Sequence, residues 1–143
     1  MTPSEIEEII TTAIPHNSTG CPPPSDADWQ SLELKFNCKF SADFKTFTSL
    51  ATTSYCRPGE ILEVSAVNGH DSIPLCYDME RQFGHWQPEM IPFFAIGNGD
   101  YYCLCASECP ESRVYYYSLD RRKFEVAFDS LEGWLATLPE LYD

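Results

Sequence analysis

The chain has 143 residues, 43% of them apolar and 14% aromatic, which suffices for one domain with a buried core and excludes a disordered chain. Its 22 acids against 9 bases leave a net charge of −13, a balance that repels nucleic acid and anionic membrane and favours basic partners. The longest apolar run, Met90 to Ile96, is too short to cross a bilayer.

In chain order, Thr2-Pro3-Ser4-Glu5 has the form of a capping box with Pro at the first helical position, and Ile6, Ile9, Ile10 and Ala13 follow at helical spacing. This predicts a short helix ended before Pro15, then a loop from His16 to Pro24. Ser25 or Asp26 caps a second helix with Trp29, Leu32 and Phe36 on one face and Leu34 flanking. Ser41 caps a third, carrying Phe44, Phe47 and Ala51, which Thr52 to Gly59 breaks. Glu60 to Val67 is β-branched and apolar and reads as a strand, turned by Asn68-Gly69. Ser72 to Gly84 predicts one short helix holding Leu75 and Met79, with loop to Glu89.

Strand signals concentrate after this. Pro92–Ile96 and Tyr101–Cys105 read as a hairpin, with Asn98-Gly99 supplying the two positive-φ positions of a tight turn. Arg113 to Leu119 and Phe124 to Phe128 are further strands around a charged turn, Asp120 to Lys123. Asp129-Ser130-Leu131-Glu132 again resembles a capping box and opens a final helix burying Leu131, Trp134, Leu135 and Leu138. With no internal repeat and no linker, residues 1–143 read as a single α+β domain: a twisted, mostly antiparallel sheet with helices packed on it.

In this order the elements resemble the SUKH superfamily, which includes the yeast Smi and Knr cell-wall regulators. The resemblance runs through Ser4-Glu5-Ile6-Glu7-Glu8-Ile9, Leu32 to Phe36, Asp43 to Phe47, and the strand–turn–strand from Phe93 to Leu104 with its Gly99-Asp100 pair. It continues through Val114-Tyr115-Tyr116-Tyr117 and closes on Phe128 to Leu135. The chain departs from the family pattern at Phe40-Ser41, where Leu-Pro is frequent, and at Ala51 to Ser54, where Asn-Gly is usual. The resemblance implies a non-catalytic binding protein, with an immunity protein that neutralises a cognate bacterial toxin domain as the leading expectation. A regulatory scaffold of Smi or Knr type is the alternative, and a small enzyme based on cysteine or paired carboxylates a third.

Charge suggests where a partner binds. Between Gly59 and Ser112 the acids are Glu60, Glu63, Asp71, Asp78, Glu80, Glu89, Asp100, Glu108 and Glu111, and the sole base is Arg81. If this segment forms one face, that face attracts a basic protein such as a toxin domain. The candidate partner-binding residues are therefore Glu60, Glu63, Asp78, Glu80, Asp100, Glu108, Glu111 and Tyr116. Tyr116 joins them because a run of three tyrosines on a strand turns at least one ring outward. For Asp100 a structural role competes, since Asp can bond the amides of its own turn.

Candidate chemistry is thin. Cys103, Cys105 and Cys109 are dense enough to suggest zinc, but Cys103 and Cys105 fall on one face of a strand rather than on a knuckle, and no second Cys or His pair has matching spacing. They read as buried thiols. His16, His70 and His85 sit in no catalytic motif, and His85-Trp86 reads as surface loop. No metal, cofactor, catalytic residue, nucleic acid or membrane is expected. The acidic N-terminus lacks a basic leader and a cleavage site, so a cytoplasmic protein with reduced thiols is expected, and an odd count of seven cysteines agrees with that.

Overall fold

The computed structural model describes residues 1–13, 21–54, 60–65 and 71–141. Helices α1 (Pro3–Ala13), α2 (Asp26–Phe36), α3 (Ala42–Ser54) and α4 (Ile73–Arg81) precede strands β1 (Met90–Ala95), β2 (Tyr101–Cys105), β3 (Val114–Ser118) and β4 (Lys123–Phe128). Two short helices, α5 (Leu131–Leu135) and α6 (Leu138–Leu141), close the chain. The strands form one antiparallel sheet in the order β1-β2-β3-β4, so the fold is α+β.

The helices start where their caps place them. Thr2 Oγ1 accepts from the Glu5 N–H at 3.2 Å while Glu5 Oε1 accepts from the Thr2 N–H at 3.1 Å. Ser25 and Asp28 repeat the reciprocal pair at α2. Ser41 accepts from the Phe44 N–H, and Ser130 from the Gly133 N–H. The buried stripes Ile6/Ile10/Ala13, Trp29/Leu32/Phe36 and Phe44/Phe47/Ala51 converge with the sheet on one core. Trp134 is its hub on that side, touching the rings of Phe47, Phe93, Phe94 and Tyr102.

Five expectations change. Residues 60–65 make no strand: Ile61 bridges antiparallel to Phe94, but Glu63 bridges parallel to Ser72. One short segment thus serves two partners, and no ladder can extend along it. It still closes the outer edge of β1, with the Ala95 N–H on the Glu60 carbonyl at 2.7 Å and the Leu62 N–H on the Phe93 carbonyl at 3.0 Å. Residues 66–70, which held the rest of that strand and its turn, lie outside the described residues, as does most of the His16–Pro24 loop. The third helix continues to Ser54, its last turn tightened by Thr52 and Thr53 hydroxyls bonding back to carbonyls at Thr48 and Leu50. In the β1–β2 turn the positive φ angles fall on Gly97 (104°) and Gly99 (96°), while Asn98 uses its side chain to accept from the Asp100 N–H.

The last helix is two helices, α5 and α6, yet Leu131, Trp134, Leu135 and Leu138 are all buried. Finally, Trp86 is no surface residue. Its loop folds it against Tyr101, Tyr117 and Phe124, on the face of the sheet opposite Trp134, and its Nε1–H donates to the Met90 carbonyl at 3.1 Å.

Candidate partner-binding surface

The expected acids do not assemble into one face. Asp100 precedes β2 and Glu108 follows it, so the length of the strand, about 17 Å, separates them. Glu63 and Glu80 are buried, Glu60 is half-buried, and Glu111 is exposed. Asp78 is exposed and pairs with Lys35 of α2 at 2.8 Å. Burial raises the Glu80 carboxyl above its ordinary range, against the opposing pull of His85.

Two of the acids hold loops together. Asp100 accepts from the Leu119 N–H at 2.9 Å and from the Tyr116 hydroxyl, which ties the β1–β2 turn to the end of β3. That hydroxyl is thereby engaged within the chain, and the Tyr116 ring, half-buried, leans edge-on against Tyr102. Tyr115 and Tyr117 are buried, so two rings of the run belong to sheet packing. Glu108 takes the Arg113 guanidinium at 2.7 and 3.2 Å, the Arg113 N–H at 3.2 Å and the Tyr115 hydroxyl. The Arg113 hydrogen bonds are the main reason that its pKa falls to about 2.

Glu111 contributes to a small concavity. It lies with Asp43 and Glu132 where the N-termini of α3 and α5 meet the β2–β3 connection. Asp43 is already in contact with the N-terminal ammonium at 3.4 Å.

Cys103 is fully buried, and burial pushes its thiol well up; burial does the same to Cys109, whose thiol donates to the Cys105 carbonyl. A thiol with a raised pKa is a poor nucleophile at neutral pH. Among the described residues no three His, Cys, Asp or Glu side chains are grouped so as to hold a metal ion. His16 and His70 lie outside the described residues. His85 is half-buried, stacked between Phe83 and Tyr117 at 5.9 and 5.8 Å. Among the described residues no helix is long and apolar enough to cross a membrane.

The surface that stands out is apolar. Leu75 and Met79, which the sequence placed on α4, are 55% and 48% exposed, and Phe83 just beyond the helix is 52% exposed. The face of α4 that turns inward carries Ile73, Cys76 and Glu80 instead. Leu75 and Met79, four residues apart, share one face of α4, and Phe83 is exposed just past its end. Asp78 is exposed on the same helix and pairs with Lys35 of α2, while Arg81 donates to the Trp86 carbonyl at 3.0 Å. A groove lined by Asp28, Lys35, Val64, Ser65 and Pro74 opens at the N-terminal end of the helix. The spacing was visible in the sequence, but periodicity marks an apolar face without saying which side of the helix the core lies on.

With the architecture in hand, a SUKH family model described as SMI1-KNR4 cell-wall matches residues 5–139. The chain belongs to this family, as its order of capped helices, four-stranded meander and closing helices had indicated. No curated protein matches it.

Proposed function

We propose that this chain is an immunity protein that binds and neutralises a basic bacterial toxin domain, with the exposed Leu75, Met79 and Phe83, on and just past α4, as the central anchor. The observation that carries this reading is the apolar surface at α4: Leu75 and Met79 are exposed on one face of the helix, and Phe83 is exposed just past its end. Membership of a family whose members are generally non-enzymatic binding proteins supports it. The net charge of −13 supports a basic partner, acting as the field of the whole molecule rather than through one acidic patch. Of the acids expected to bind, Asp78 is the exposed one on the same helix, and Glu111 is exposed elsewhere. Glu63 and Glu80 fit a role in the fold better than one at an interface. Asp100 and Glu108 hold loops in place, and a cytoplasmic location suits the role.

Co-expression with the product of a neighbouring toxin gene tests the reading, and the lack of any such gene counts against it. The wild-type chain rescues growth and co-purifies with the toxin domain. Met79→Asp and Phe83→Asp keep the fold, because both side chains are exposed, and each weakens binding about thirtyfold or more, since a buried anchor contributes about 2 kcal/mol or more. Failure of the wild type to rescue rejects the immunity role, and rescue by both variants rejects the surface. The family's description as cell-wall proteins favours a second reading, a Smi- or Knr-type scaffold, in which the same surface holds a signalling protein.

A further inference from the structure

The connector between α2 and α3 lies against the turn that follows β2. Lys35, Phe36 and Asn37 line a groove together with Ala106 and Ser107 and with Tyr77 of α4. Each segment then carries a cysteine, Cys38 after Asn37 and Cys109 after the single helical turn Ala106–Glu108. The two thiols are in hydrogen-bonding contact, although the residues are far apart in sequence. Both side chains are half-buried, and Cys38 also lines an open groove beside Gln30, Leu34 and Lys39, which lets a small solute reach it.

Both segments are held in place. The Cys38 N–H donates to the Glu33 carbonyl at 3.1 Å, behind Asn37, whose φ of 50° ends α2. The Cys109 N–H donates to the Ala106 carbonyl, and its thiol to the Cys105 carbonyl, each at 3.3 Å. The other cysteines nearby are less available. Cys103 is fully buried, and Cys105 is buried with its sulfur on the Ser107 hydroxyl at 3.2 Å. We propose that Cys38 and Cys109 form a reversible oxidation site, which a hydroperoxide closes into a disulfide that staples the α2–α3 connector to the turn after β2.

The Cys38 thiolate attacks the peroxide; its S–O bond forms as the O–O bond breaks, leaving a sulfenic acid. The Cys109 sulfur then attacks the Cys38 sulfur, and water leaves as the S–S bond forms. Two thiols lose two protons and two electrons, and hydrogen peroxide is reduced to two waters. Burial raises both thiols above their ordinary range. Their contact opposes that rise at Cys38 and adds to it at Cys109, so Cys38 ionises first and is the attacking group. Closure is therefore slow at neutral pH and quickens about tenfold for each unit of pH while Cys38 remains mostly protonated. In a reducing compartment the pair rests open, and the staple forms under oxidative load. The loop it closes contains α3, α4 and the β1–β2 hairpin, so it restrains the segment that carries Leu75, Met79 and Phe83.

Peroxide treatment of the full chain, followed by thiol blocking and peptide mass spectrometry, tests this without any toxin. Wild type yields a peptide joining Cys38 to Cys109, two hydrogens lighter than its reduced parts and separated again by dithiothreitol. The oxidised protein melts about 10 °C above the reduced one, because the cross-link restricts the unfolded chain. Cys38→Ser and Cys109→Ser, each folded by circular dichroism, lose both the bridge and the shift. In Cys109→Ser the reaction stops at the Cys38 sulfenic acid, which dimedone traps. A bridge between other cysteines overturns the proposal. So does a Cys38 left free in excess peroxide, a wild-type Cys38 carried on to sulfinic acid, or a bridge that leaves the melting temperature unchanged.

Discussion

Removing the Glu33 carboxylate tests the account of how α2 is joined to α3. Glu33 is 7% exposed. One oxygen accepts from the Phe40 N–H at 2.9 Å, and Lys45 and Lys39 approach it at 3.4 and 3.8 Å. Phe40 carries the connector into the core against Trp29 and Phe44. Glu33→Ala leaves the Phe40 amide buried without an acceptor, which costs about 1–3 kcal/mol. Lys39 is 80% exposed and its pair is worth nearly nothing, while Lys45, 37% exposed, adds at most about 1 kcal/mol. The total is about 3 kcal/mol, roughly 10 °C in Tm for a chain of this size. Glu33→Gln keeps an acceptor for Phe40 and loses only the charge, about 1 kcal/mol.

Urea unfolding followed by tryptophan fluorescence measures both variants, and acid separates the two effects. Burial works against ionisation of Glu33, yet the Phe40 amide and the two lysines bring its pKa below the ordinary 4.5. On acidification the unfolded chain takes up the proton first, so the stability due to charge is complete above pH 4.5 and is lost as pH falls through the folded-state pKa. The gap between wild type and Glu33→Gln therefore closes in acid. Equal costs for Ala and Gln, or a gap that persists at low pH, refute the reasoning.

Three further measurements bear on the same framework. Among the described residues the Tyr117 hydroxyl is buried without a hydrogen-bond partner, so Tyr117→Phe stabilises the protein by about 1 kcal/mol in the same unfolding assay. Asp100→Ala frees the Leu119 amide and the Tyr116 hydroxyl and costs about 2 kcal/mol, and amide exchange then quickens at Leu119 before the centre of β3. Glu108, with its pKa near 2, stabilises the fold above the unfolded value of 4.5 and loses that contribution only as pH falls toward 2. The difference between wild type and Glu108→Gln is accordingly flat from neutral pH to about 4.5 and shrinks below it.

Much of the fold could be read locally. Caps at Thr2, Ser25, Ser41 and Ser130 act through hydrogen bonds that span three residues, so their signals survive in a single sequence. The meander from Met90 to Phe128 was likewise legible, because short turns join strands of alternating or continuous apolar character. The order of these parts was enough to indicate the family. What depended on distant neighbours was not legible. Residues 60–65 look like a strand and serve two partners instead; Trp86 sits in a loop and seals one face of the sheet. The acids between residues 60 and 111 are close in sequence, but β2 carries Asp100 and Glu108 to opposite ends of the strand. Helix periodicity named Leu75 and Met79 as an apolar pair, and only the packing of Ile73 and Cys76 inward turned that pair to solvent. Short-range hydrogen bonding and periodicity are properties of the chain, whereas which face is buried and which charges meet are settled by segments far apart in sequence.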